Sequence, residues 1–301
     1  MPPPCPAPAP CAAARLAALA LRALLALSAP LGVPLGAPLG APLGAPLAVA
    51  LGAALGAAGC GGRVPRPASY SEDPARLHAA LARRREAVQA LSGELALEVW
   101  EGDQRVSARQ LFAAAPPARF RMDTLSPFEQ PVSTLVSDGQ LLLMHKADEG
   151  RYLAGEANAQ NLSRLSRLPL DPHAMAATLS GQPPLLADAG GRVGWSEERG
   201  LYTLTLDAPG ARLGDRQVLF LHPTHLVPVE VVLYRGGRVE VVLHLADYTE
   251  QEPRLPQRIR FELPRELIRV DARLRDHALN PDLPSDAFSI TPPPGVTPES
   301  L

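Results

Sequence analysis

Two histidines in this sequence, His222 and His225, are spaced as two ligands of one metal ion could be. His222-Pro223-Thr224-His225 has the separation of paired metal ligands, but no third ligand follows nearby and the segment lies between strand-like runs, which favours a turn. The patterns Gly-x-Ser-x-Gly, His-Glu-x-x-His and the phosphate-binding loop do not occur. Asp138 and Asp148 fall where the chain must reverse, so we interpret them as turn formers. We therefore expect no enzyme, no metal site and no cofactor.

Cys60 is the other residue with chemical potential. The segment Ala57-Ala58-Gly59-Cys60 resembles the bacterial lipobox, in which small residues precede a cysteine that is acylated on sulfur and becomes the mature N-terminus. Ala57 stands where that signal usually has leucine. Secretion with cleavage nearby and an uncleaved anchor remain open as alternatives. Lipid chains on Cys60 would hold the protein at a membrane, and Gly61 in the second mature position, in place of Asp, points to the outer membrane.

The first 60 residues differ in kind from the rest. They carry two charges, Arg15 and Arg22, followed by an Ala/Leu run and the repeat LGAPLGAPLGAPL. We interpret residues 1–59 as an export signal containing a Leu-Gly-Ala-Pro repeat, 60–72 as the lipidated cysteine with a flexible tether, and 73–301 as the folded domain.

Composition excludes several classes of protein. The chain has 29 basic and 31 acidic side chains, and its arginines are mixed with Asp and Glu, so it lacks the basic face that nucleic-acid binding requires. All three cysteines (Cys5, Cys11 and Cys60) lie in the first fifth of the chain, which excludes a disulfide framework in the domain.

Apolar side chains alternate with polar ones along most of the domain. In Glu94 to Trp100, for example, Leu95, Leu97 and Val99 alternate with glutamates, as in a half-buried strand. A helix is predicted before them, beginning at Asp73-Pro74 and continuing to about Leu91. The predicted strands are 94–100, 105–113, 118–125, 132–137, 141–146, 151–154, 191–197, 200–207, 216–222, 227–235, 238–248, 257–263 and 267–275.

One segment interrupts the strands. Between Asn158 and Gly181 the apolar residues have helical spacing, and Asp171-Pro172 begins a second short helix. Two helices inserted midway into a curled sheet are well placed to cover its open end, so we predict a lid. Its apolar residues are Leu162, Leu165, Leu168, Met175 and Leu179.

Three short segments of the sequence resemble those of a known protein family: Leu135-Val136-Ser137-Asp138-Gly139, Leu255-Pro256-Gln257-Arg258-Ile259 and Ala287-Phe288-Ser289-Ile290-Thr291-Pro292-Pro293. From about Asp73 to Val296 the chain resembles the LolA/LolB-like proteins of bacterial lipoprotein localisation, a periplasmic carrier and its outer-membrane receptor. The resemblance implies a mainly β (α+β) fold. We expect an incomplete antiparallel β-barrel of about 11 strands with an N-terminal helix and a short helical lid.

The resemblance also suggests roles for two short segments. The receptor of this family has an exposed apolar residue after a proline in the loop between its third and fourth strands, used for delivery into the membrane, and Pro127-Phe128 matches that place. Packing of Phe128 into the core beside Leu125 is the alternative. The carrier has an arginine before a proline at the end of its second strand, which bonds the lid, whereas this chain has Ala115-Pro116. That difference favours a receptor-like role.

Aliphatic inner faces with few aromatic residues suit flexible acyl chains. The residues expected to line an apolar concavity are Leu97, Val99, Leu143, Val231, Val241 and Leu243. A filled core requires the same alternation and remains an alternative. We expect a monomer on the periplasmic face of the outer membrane, with acylated lipoproteins or lipids as partners. A structural or regulatory lipoprotein that uses the fold as a protein-binding scaffold is the second hypothesis.

Overall fold

A computed structural model of the protein describes residues 63–186, 190–211 and 213–301. These described residues form one compact unit. The predicted export signal at 1–59 and the predicted lipidation of Cys60 lie outside the described residues. No described helix is long and apolar enough to cross a membrane.

The described strands form one sheet of fourteen strands that does not close on itself. Their order is β14-β6-β5-β4-β3-β2-β1-β13-β12-β11-β10-β9-β8-β7. Neighbours are antiparallel except β14, which runs parallel to β6. The strands are β1 Leu91–Glu101, β2 Gln104–Ala115, β3 Arg119–Leu125, β4 Pro131–Ser137, β5 Leu141–Lys146, β6 Arg151–Glu156, β7 Arg192–Ser196, β8 Leu201–Asp207, β9 Arg216–Leu221, β10 Pro228–Arg235, β11 Arg238–Tyr248, β12 Pro256–Leu263, β13 Ile268–Leu279 and β14 Pro298–Ser300.

The mainly β class and the open barrel-like sheet agree with the prediction, but the expected count of about 11 strands is wrong. Every predicted run is a strand, because turn residues separate the runs and most of them alternate apolar with polar side chains. The additional strand β14 has only three residues, all exposed, and no alternation that a sequence could reveal.

Within the described residues three helices accompany the sheet: α1 Pro74–Ala87, α2 Ala159–Ser166 and α3 Pro172–Leu179. Helix α1 begins where predicted, since the Asp73 side chain accepts a hydrogen bond from the Ala75 N–H. It ends earlier than the predicted Leu91. Leu91 is fully buried but begins β1, so its place in the apolar pattern belongs to the sheet.

The concave face of the sheet holds the main core, and α1 and nearby segments cover its β8–β11 side. Arg84 of α1 lies over the Tyr248 ring and donates to the Arg254 carbonyl oxygen at 2.7 Å. Burial lowers the pKa of Arg84 and raises that of Tyr248. Tyr70, within the predicted tether, stacks on Tyr202 with ring centroids 5.4 Å apart. The described part of the tether therefore packs against the sheet.

The convex face carries charged side chains and an apolar patch around Ala113, Ala115 and Val136. The C-terminal segment 281–301, here called the strap, crosses this patch and ends in β14. Phe288 of the strap is buried against Ala113, Ala115 and Val136, and the Tyr152 hydroxyl donates to the Ile290 carbonyl oxygen at 2.7 Å. This part of the sheet is covered on both faces.

Candidate functional site

A cavity of about 360 Å³ lies between the lid and the β1–β5 and β12–β13 part of the concave face. This volume lies within the range of ligand-binding cavities. Most of its lining is aliphatic, and the charged lining residues are Glu101 and Arg167. The sheet contributes Leu91, Leu95, Leu97, Val99, Gln110, Met122, Thr124, Ser133, Leu135, Met144, Pro256, Ile259, Phe261, Ile268, Val270, Ala272 and Leu274.

The lid consists of α2 and α3 and is fixed by their N-caps. The Asn158 side chain accepts from the Asn161 N–H at 2.9 Å, and the Asp171 side chain accepts from the Ala174 N–H at 2.8 Å. Gly181 follows α3 with φ +69°, and a Cβ there would lie 2.8 Å from Cδ of Pro256. Glycine therefore allows the lid to approach β12 closely.

Two exposed side chains mark the opening of the cavity. Arg167, at the end of α2, places Nη1 at 2.8 Å and 2.9 Å from the two carboxylate oxygens of Glu101. Because both side chains are more than half exposed, this contact between lid and sheet contributes little stability.

A short polar row crosses the otherwise apolar wall. Gln110 of β2 is opposite Thr124 of β3, which is opposite Ser133 of β4. The Gln110 Nε2 donates to the Thr124 Oγ1 at 2.9 Å. These strands therefore place an amide and two hydroxyls beside a hydrocarbon surface.

Six of the predicted site residues line this cavity. Leu97 and Val99 lie on its β1 wall, and four lid residues face it: Leu165, Leu168, Met175 and Leu179. The remaining predicted lid residue, Leu162, is fully buried in the main core and does not line the cavity.

The other predicted concavity residues lie elsewhere. Leu143 faces the convex side and packs against the cluster around Phe288, while its neighbour Met144 lines the cavity. Leu141–Met144 is apolar throughout, so alternation could not identify the inner face. Val231, Val241 and Leu243 belong to the main core but not to the cavity wall. On β10 and β11 the concave face is therefore covered by closely packed side chains of the core.

Phe128 lies on the surface and not in the core, with 86% of its area exposed. Its loop is ordered by hydrogen bonds: the Ser126 Oγ accepts from the backbone N–H groups of Phe128 and Gln130, each at 3.2 Å. Arg109 donates to Glu129 in the loop and to Glu94 on β1. The bond from Arg109 lowers the pKa of Glu94. Pro127 is also exposed.

His222 and His225 lie in a turn between β9 and β10. His222 and His225 are stacked with centroids 5.2 Å apart, and the His222 Nδ1 accepts from the Thr224 N–H at 3.2 Å. Burial lowers the pKa of His222. Among the described residues no group of three His, Cys, Asp or Glu side chains could hold a metal.

Sequence reasoning missed two methionines in the wall, Met122 and Met144. Beyond Met1 the chain has three methionines, and all three line the cavity, Met175 from the lid. Methionine is flexible and polarizable, and it is frequent at adaptable binding surfaces. The sequence shows the three methionines at separate positions, and only the fold brings them together at one cavity.

No protein-family description matches the sequence, and no curated protein resembles it closely enough to count as a match. Solved structures do match. A DUF1329 family protein from Desulfovibrio piger has a TM-score of 0.55 at 12% identity, covering 73% of this chain and 98% of its own. A putative outer membrane lipoprotein-sorting protein domain from Vibrio parahaemolyticus has a TM-score of 0.53 at 10% identity, covering 71% and 94%. The resemblance to the lipoprotein-localisation proteins is thereby confirmed at the level of the fold.

Proposed function

We propose that this is a lipid-anchored envelope protein that binds acyl chains of lipoproteins or lipids in the cavity under its lid. The observation that carries the proposal is a cavity of about 360 Å³ with a mostly aliphatic wall. Each methylene group buried there would contribute roughly 0.8 kcal/mol, so a chain of ordinary length would bind appreciably. Met122, Met144 and Met175 can adjust to chains of different shape.

The lining favours binding over catalysis. Its titratable side chains are Glu101 and Arg167, which neutralise each other at the opening. No candidate nucleophile and base approach each other there, as a catalytic site would require. We accordingly propose a binding protein without enzymatic activity, without cofactor and active as a monomer.

The specific role that we propose is acceptance of lipoproteins at the periplasmic face of the outer membrane. Cys60 would carry the lipid anchor, and Phe128 would touch the bilayer during transfer. Exposure of the Phe128 side chain on a hydrogen-bonded loop supports this role, because a large apolar side chain in water gains by entering a membrane interface. Ala115-Pro116, in place of the carrier's arginine and proline, favours a receptor over a shuttling carrier.

Acyl binding is tested by titrating the protein with a fluorescent fatty acid and by mass spectrometry of lipid that copurifies with it. Saturable uptake, with the probe displaced by unlabelled fatty acid, is the expected result. Absence of both uptake and copurified lipid would contradict the proposal. The intact mass of the protein extracted from membranes tests the anchor, since acylation of Cys60 adds the mass of its lipid.

The delivery role of Phe128 is tested with Phe128→Glu in a transfer assay from a loaded donor to lipid vesicles. Leu141→Glu is the matched control, because Leu141 is an exposed apolar residue at the opposite ends of the strands. We expect Phe128→Glu to slow transfer at least tenfold while the fatty acid affinity and the melting temperature stay unchanged. Equal transfer by both variants would exclude the loop from delivery.

A protein-binding scaffold is the second candidate function. Among the described strands β7 is an edge, paired only with β8. A free edge can accept a strand from another protein. Failure of acyl uptake together with capture of a defined envelope partner would favour this alternative.

A further inference from the structure

The polar row of Gln110, Thr124 and Ser133 contains a hydrogen-bond acceptor that lacks a partner. Gln110 Oε1 is buried, and among the described residues nothing donates to it. The amide nitrogen of the same side chain is occupied by Thr124. A buried acceptor without a donor destabilises the site, so an occupant that supplies an N–H or O–H group to it would bind more tightly.

The neighbouring hydroxyl groups of Thr124 and Ser133 can donate hydrogen bonds. The Thr124 Oγ1 already accepts from Gln110, which leaves its own proton free to donate, and the Ser133 hydroxyl is a second donor. Adjacent strands are about 4.8 Å apart, so the acceptor and the donors are separated by little more than the width of one peptide group. The row therefore offers one acceptor and two donors to a small polar group.

We propose that the cavity selects acyl chains attached through a secondary amide, an inference that rests on the proposed acyl-binding function. The amide N–H would donate to Gln110 Oε1, and the amide carbonyl oxygen would accept from the hydroxyl of Thr124 or Ser133. An ester of the same length offers only acceptors and leaves Gln110 unsatisfied. A secondary amide can bond to both the acceptor and a donor of the row.

The row lies toward the end of the sheet that carries both Glu101, at the opening, and the Phe128 loop, and a head group would be held there. Thr124 is two residues before Ser126, where the Phe128 loop begins. On one side of the row lie the apolar residues Met122, Leu135 and Met144, which are aligned across β3, β4 and β5. An acyl tail would extend over this apolar surface, with its amide at the row. Two sources present this chemistry: an N-acylated peptide N-terminus and an N-acylated amino alcohol lipid.

The test compares two ligands that differ in one group, N-methyldodecanamide and methyl dodecanoate. Each displaces a fluorescent fatty acid from the full-length protein kept soluble in an amphipathic polymer. We expect the amide to bind about tenfold more tightly than the ester, because its N–H group would supply the hydrogen bond that Gln110 Oε1 lacks. Equal binding of both ligands would overturn the amide preference and leave acyl binding standing. Displacement by neither ligand, with no saturable uptake of the fatty acid, would overturn acyl binding itself.

Two glutamine variants on β2 test whether Gln110 causes the preference for the amide. Gln110→Leu should reduce the amide-to-ester affinity ratio to about one, whereas Gln104→Leu, at an exposed position outside the cavity, should retain the wild-type ratio. A ratio unchanged in Gln110→Leu would overturn the role of Gln110. In the wild type, tighter binding of dodecanoyl-glycyl peptide than of N-dodecanoyl ethanolamine would identify the peptide N-terminus as the source, and the reverse order would identify the lipid.

Discussion

Glu230 is the carboxylate whose environment in the fold makes the clearest pH prediction. A hydrogen bond from His244 and a two-pronged contact with Arg199 hold the pKa of Glu230 at about 2, against an ordinary value of about 4.5. A carboxylate with a depressed pKa stabilises the fold above its unfolded-state pKa and loses that contribution as the pH falls toward its folded-state pKa. The contribution should therefore be complete at pH 7 and disappear between about pH 4.5 and pH 2.

The variant Glu230→Gln should lower the free energy of unfolding by about 2 kcal/mol at pH 7, because the charge-assisted bonds to Arg199 weaken. Urea unfolding at pH 7, 5 and 3 measures the effect, which should shrink as the pH decreases. Glu266→Gln, at an exposed turn position, is the control and should change little at any pH. A pH-independent loss in Glu230→Gln would refute the electrostatic cause.

At the scale of elements, the lid makes the next prediction. Asp171 caps α3 by accepting from the Ala174 N–H, and Asp73 caps α1 in the same manner through Ala75. Asp171→Ala should cost about 1 kcal/mol and should speed amide hydrogen exchange in α3 about fivefold. If lid opening admits the ligand, fatty acid uptake should accelerate in parallel.

Asp73→Ala is the matched control for the lid. It removes the same kind of cap from a helix outside the cavity wall, so exchange should rise in α1 while uptake stays at the wild-type rate. Faster exchange in α3 of Asp171→Ala with unchanged uptake would exclude lid opening as the entry step.

These elements were largely predictable, because their signals are local. Aspartate-proline pairs mark the starts of α1 and α3, and alternation marks strands such as Leu201–Asp207, in which every second residue is buried. The cavity was less predictable. Leu97 and Leu243 both lie in segments with alternating apolar residues, yet Leu97 lines the cavity and Leu243 is packed in the core, because the difference depends on which segments cover each part of the sheet.

At the scale of the whole molecule, the sheet separates two apolar environments. The concave face contains the cavity, whereas the strap closes the convex face around Phe288. Leu143 and Met144 are consecutive residues, and they belong to opposite sides of this division. Their different roles result from the path of the strap, which begins more than a hundred residues later in the chain and has no local signature beside β5.

This division predicts that stability and ligand binding can be separated. Phe288→Ala removes a ring that is 7% exposed and should lower the free energy of unfolding by about 3–5 kcal/mol, whereas Phe128→Ala, at a ring that is 86% exposed, should be nearly neutral. Urea unfolding measures both. Because Phe288 contacts the face opposite the cavity, the Phe288→Ala molecules that remain folded should bind fatty acid with wild-type affinity. If the affinity of folded Phe288→Ala for fatty acid falls along with its free energy of unfolding, the strap holds the cavity wall in place through the sheet. The two faces would then act as one unit.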